Sequence, residues 1–87
     1  MKNTTIQDLI EQYLLLESFE VTEELLDTCG ANIDTRALPV LKRRLLEEET
    51  QIPALQARGY TRMREKSEQL IASLKPLIAE LEDKTID

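Results

Sequence analysis

The stretch YTRMREKSEQLIASLKPLIAEL, Tyr60 to Leu81, decides the fold. Within it Tyr60, Met63, Ser67, Leu70, Leu74, Leu77 and Leu81 follow one another at alternating gaps of three and four residues. Residues so spaced share one face of an α-helix, and a repeat averaging 3.5 holds that face against a neighbouring helix through several turns. The segment is therefore expected to form a long C-terminal helix, coiled-coil-like, packed antiparallel on another helix. Its partner can lie within the subunit or on a twin. Tyr60, Met63, Leu70, Leu74, Leu77 and Leu81 are the expected oligomer seam.

The same logic upstream yields helices almost everywhere. Thr5 can cap a first helix, with Asp8 three residues on completing a reciprocal capping box. Ile6, Leu9, Ile10, Tyr13 and Leu14 line its apolar face, which Leu15, Leu16 and Phe19 widen, for an expected span of 5–19. Thr22 is the expected cap of a second helix, 22–29, whose Glu23 and Glu24 suit the positive end of the helix dipole. Gly30 readily takes the left-handed conformation that ends a helix. A turn at 31–34 leads to a third helix, 35–51, in which Pro39 is tolerated because the first turn lacks internal bonds. Leu38, Leu41, Leu45, Ile52 and Leu55 repeat along it, and Pro53 and Gly59 predict a kink or break within 52–60. The last helix is expected over 54–83, with Pro76 away from the seam and residues 84–87 frayed.

Composition supports an all-α bundle of three or four helices in one domain of 87 residues. Hydrophobic residues make up 41% and charged residues 32%, a globular balance, while aromatics are only 3%. A core built from Leu and Ile favours helices over strands, which lean on aromatic and β-branched residues. No apolar run approaches the roughly 18 residues that span a bilayer, and Met1 to Thr5 leads into no signal-peptide core. A cytoplasmic home away from membranes is the expectation. A chain this short hides only roughly 60–65% of its unfolded surface, so a homodimer or higher oligomer would help it.

The residues that usually carry chemistry are scarce. There is one cysteine, no histidine and two glycines, which excludes an internal disulfide framework, imidazole catalysis and a glycine-rich phosphate loop. Cys29, close to Asp27, is expected to pack as a small apolar residue. Glu47, Glu48 and Glu49 fan around a helix by about 100° each, so they read as a solvated face rather than a metal site. No enzyme activity, cofactor or metal is expected.

The net charge of −6 is distributed unevenly. Residues 1–34 carry eight acids against Lys2, for −7, whereas Arg36 to Lys66 carry eight bases against four acids, for +4. Asp8, Glu11, Glu20, Glu23, Glu24 and Asp27 are the expected contact surface for a basic protein partner, because opposite fields speed encounter and select partners. Lys42, Arg43, Arg44 and Arg62 are the candidate nucleic-acid contacts. Pairing of these bases with Glu47–Glu49 and with the acidic helices is the competing expectation.

Val21 to Arg36, with apolar Leu25, the turn residue Gly30 and a polar starter beyond it, resembles the first half of a helix-turn-helix. Ile52-Pro53 and Gly59-Tyr60-Thr61-Arg62 resemble the wing of regulators of the mercury-resistance family. That resemblance implies DNA reading. The sequence departs from the pattern at Leu26, where a small residue is usual, at Arg36 and Pro39, and in its longer 35–59 stretch. The reading preferred from the residues is a non-enzymatic helical interaction module, a phage- or plasmid-type regulator, inhibitor or assembly adaptor. A DNA-binding regulator and an acidic nucleic-acid mimic are the alternatives.

Overall fold

Residues 5–85 are described by a computed structural model, in which the chain runs α1 (Ile6–Leu16), α2 (Phe19–Cys29), a 3-10 turn (Thr35–Ala37), α3 (Leu38–Arg58) and α4 (Thr61–Thr85). No strand occurs among the described residues, and the fold is an all-α bundle. Thr5 starts α1 as its spacing from Asp8 predicts. The Thr5 hydroxyl accepts from the Asp8 N–H at 3.2 Å, and the Asp8 carboxylate accepts from the Thr5 N–H at 3.4 Å.

α1 ends at Leu16, three residues earlier than expected. Glu17 and Ser18 are extended, with ψ of 159° and 158°, and form an elbow into α2. Ser18 is the cap there, its hydroxyl accepting from the Val21 N–H at 3.4 Å. Thr22, the expected cap, lies inside α2 and donates its hydroxyl to the Ser18 carbonyl at 3.0 Å. Phe19 therefore opens the second helix instead of closing the first, and that change of axis points it to solvent.

Gly30 ends α2 at φ 73°. Asp34 then caps the 3-10 turn, its carboxylate accepting from the Arg36 N–H at 2.9 Å, and Pro39 sits in the donor-poor first turn of α3. The kink or break expected across 52–60 resolves into one stop, at Gly59. α3 continues through Pro53, which is exposed, so the carbonyl deprived of its donor can turn to water. Gly59, at φ 73° and ψ 21°, permits the tight reversal in which the Tyr60 N–H bonds the Leu55 carbonyl at 3.0 Å. Residues 52–62 are thus helix, turn and helix, not the wing of the resemblance.

α3 and α4 form an antiparallel hairpin. Lys42 meets Glu82 at 2.6 Å, and two turns further along α3 Glu49 meets Lys75 at 3.6 Å. Along the hairpin runs the leucine stripe: Leu70, Leu74, Leu77 and Leu81 are at most 4% exposed. α1 adds Ile10 and Tyr13 to this core, and α2 adds Leu25 and Cys29 against Ala37, Val40 and Leu41. The stripe finds its complement inside the subunit over 67–81, whereas Tyr60 and Met63 remain 48% and 55% exposed. α4 passes through exposed Pro76 unbroken and keeps Lys84 helical, so the expected fraying does not begin at 84. Residues 86–87 of that expectation, like residues 1–4, lie outside the described part. Among the described residues no helix is long and apolar enough to cross a membrane.

Candidate functional site

The elbow between α1 and α2 brings a buried polar cluster under an open cleft. Arg44, projecting from the middle of α3, donates to both Glu17 carboxylate oxygens, from Nε at 2.9 Å and from a terminal nitrogen at 3.0 Å. It also donates to Glu48 at 2.8 Å and to Glu47 at 2.7 Å. Tyr13 completes the set by donating its hydroxyl to Glu17 at 2.5 Å, and the Ser18 N–H reaches the other Glu17 oxygen at 3.0 Å. The side chains of Glu17 and Glu48 are 1% and 7% exposed. Glu48 is thus not part of the solvated acidic face expected of residues 47–49, because the long Arg44 side chain lies one helical turn away and neutralises it.

The electrostatics of the cluster follow from this geometry. Burial alone would push the Glu17 carboxyl up, but hydrogen bonds from Arg44, Tyr13 and the Ser18 N–H outweigh it and hold Glu17 below its ordinary range. Burial, reinforced by the neighbouring Glu17 charge, drives the Tyr13 hydroxyl well above its ordinary range, so it remains a donor. Burial opposes the Arg44 charge, and the Glu17, Glu47 and Glu48 carboxylates more than restore it. Every strong partner is engaged, and the cluster is a clamp that fixes the elbow on α3.

Above the clamp lies a cleft of about 350 Å³ with Leu16, Val21, Met63 and Leu70 as its apolar lining and Lys66 at its edge. It adjoins a second cleft of about 410 Å³ that shares Leu16, Glu17 and Lys66 and adds Leu15, Arg62, Glu65 and Gln69. Leu15 is 85% exposed and Phe19, the single phenylalanine, 75%. Large apolar groups left in water together mark interaction sites more often than singly scattered ones do.

The predicted site residues separate into used and unused charges. Of the nucleic-acid set, Lys42 pairs with Glu82, Arg43 with Glu24 at 2.6 Å and Arg44 with Glu17, so these three cations are neutralised within the fold. Arg62 makes no ion pair among the described residues, and neither do Arg58, Arg64 and Lys66 nearby. The Arg64 Nε is enclosed beside the Gly59 turn with no hydrogen-bond partner among the described residues. Of the acidic partner set, Asp8 is spent on capping, Glu11 accepts from Gln7 at 3.4 Å, and Glu24 is held below its ordinary range by Arg43. Glu20, Glu23 and Asp27 are exposed and form no ion pair among the described residues. Leu70, Leu74, Leu77 and Leu81 of the seam are core, leaving Tyr60 and Met63 at the surface.

Glu17 and Ser18 fall inside the expected first helix of 5–19, and their roles in the clamp and the cap depend on α1 stopping at Leu16. A signal existed in the serine itself, a preferred cap residue standing three positions before Val21. No family model, curated protein or solved structure matches the chain.

Proposed function

We propose that the protein is a non-enzymatic interaction module whose cleft between the elbow and α4 receives a helix of a protein partner. The observation that carries this reading is a pair of adjoining clefts that share Leu16 and Lys66, with exposed Met63 on one and exposed Leu15 and Arg62 on the other, Arg62 and Lys66 forming no ion pair among the described residues. An amphipathic helix laid in such a groove buries its apolar stripe and sets its charged flanks against the rim. The rim bases select acidic flanks. The clamp beneath supports the reading because Arg44, Glu17 and Glu48 keep the groove walls in place before a partner arrives, which lowers the ordering cost of binding. A role as regulator, inhibitor or assembly adaptor is consistent with an 87-residue domain that offers such a groove.

The test is a titration of fluorescein-labelled synthetic peptide, an amphipathic helix with leucines at heptad spacing and glutamates elsewhere, monitored by anisotropy. Binding is expected, weakening with salt and lost in the Leu15→Glu, Met63→Glu double variant, whose circular dichroism should match that of the parent. A labelled DNA duplex serves as the competing probe. Duplex binding with a steep salt dependence, in the absence of peptide binding, would reverse the proposal in favour of DNA reading.

A further inference from the structure

We infer that the helix taken by this cleft is α2 of a second copy of the same chain, in a two-fold symmetric dimer. The inference rests on the reading of the cleft as a helix-binding groove and names its occupant. α2 has two faces. Leu25 and Cys29 point into the core, while Phe19, Glu23 and Leu26 lie at positions i, i+4 and i+7 on an outward stripe. Phe19 and Leu26 on that stripe are 75% and 45% exposed, and Glu20, Glu23 and Asp27 flank them without ion pairs among the described residues. That is an acidic amphipathic helix presented to water by a folded domain.

The cleft is its chemical complement. Leu15 and Met63 offer the apolar surface, and Arg62 and Lys66 offer cations that form no ion pair among the described residues. The two surfaces also adjoin, since Ser18 and Val21 at the start of α2 line the cleft that Met63 and Lys66 close. Adjacency matters for symmetry. A two-fold axis beside the elbow carries the α2 of each copy to the cleft of the other, so that every contact occurs twice and the assembly closes on itself. The acids of one copy then face Arg62 and Lys66 of its twin, two cations that outnumber Glu65 on the same cleft. α2 cannot fill its own cleft, because Leu25 and Cys29 anchor its other face in the core.

Sedimentation equilibrium of the full chain, from micromolar to near-millimolar concentration, is expected to give twice the 10.0 kDa chain mass. Phe19→Asp should halve that mass with unchanged helical circular dichroism, since Phe19 makes little contact in the subunit. A charge exchange gives the sharper result. The Glu20→Lys, Glu23→Lys variant and the Arg62→Glu, Lys66→Glu variant should each be monomeric, and an equimolar mixture should recover the dimer mass. In the mixed pair each helix meets a groove of opposite sign. A monomeric parent that still binds the acidic peptide would overturn the inference while leaving the helix-binding reading in place. A parent that is monomeric and binds no peptide would overturn both, and a dimer indifferent to Phe19→Asp or to the charge exchange would place the contact elsewhere and refute the inference.

Discussion

Arg44 meets three carboxylates and Tyr13 meets one of them, so the protonation of Glu17 is coupled to the stability of the elbow. With its carboxyl held below the ordinary 4.5, Glu17 contributes stability that is present above pH 4.5 and is lost as the pH falls through the lowered value. Arg44→Met removes the countercharge and leaves Glu17 buried, which typically costs about 3–5 kcal/mol at neutral pH. Burial is then the dominant influence on Glu17 and raises its affinity for protons. The sign of the pH dependence should reverse, the variant gaining stability relative to the parent as the pH falls toward 4.5. Urea melts of both proteins at several pH values measure this, and parallel profiles would show that Glu17 does not depend on Arg44.

Among the elements, α3 carries a proline in its interior without stopping, and the helix ends only where Gly59 adopts a left-handed conformation. Proline inside a helix is about 3 kcal/mol less favourable than alanine, partly offset by about 0.4–1 kcal/mol because it also restricts the unfolded chain. Pro53→Ala is therefore expected to stabilise the protein by about 2 kcal/mol. The gain should appear in denaturant melts as a higher midpoint with an unchanged slope. A loss of stability would indicate that the turn preceding Gly59 is held by the proline itself. α4 makes the complementary point: its exposed Pro76 sits opposite the buried Leu74, Leu77 and Ile78, and the packed face keeps the helix whole.

At the level of the molecule, charge is sorted twice. Lys42, Arg43 and Arg44 neutralise acids from α4, α2 and the elbow and thereby tie the bundle together, while the bases near the hairpin tip and the acids on the outside of α2 stay unpaired among the described residues. The unpaired sets flank the exposed apolar residues, and the dimer inferred from them links folding to association. Thermal unfolding should then depend on protein concentration, with the midpoint rising as the chain becomes more concentrated and falling at high salt. A midpoint independent of concentration would argue for a subunit that is stable alone.

Helical class, the leucine stripe of α4, the Thr5 and Asp8 cap and the stop at Gly30 were all legible in the residues, because each depends on neighbours within about four positions along the chain. Acidic and basic stretches were legible as well. Their use was not: whether Arg43 and Arg44 face solvent or Glu24 and Glu17 depends on contacts 19 and 27 residues apart, which no local pattern encodes. The end of α1 at Leu16, the exposure of Phe19 and the division of the seam into a buried 67–81 and an open 60–63 likewise arose only when helices competed for one core. Local propensity determined what each segment is, and packing, which adds interactions between segments distant in sequence, decided which faces were left to meet another molecule.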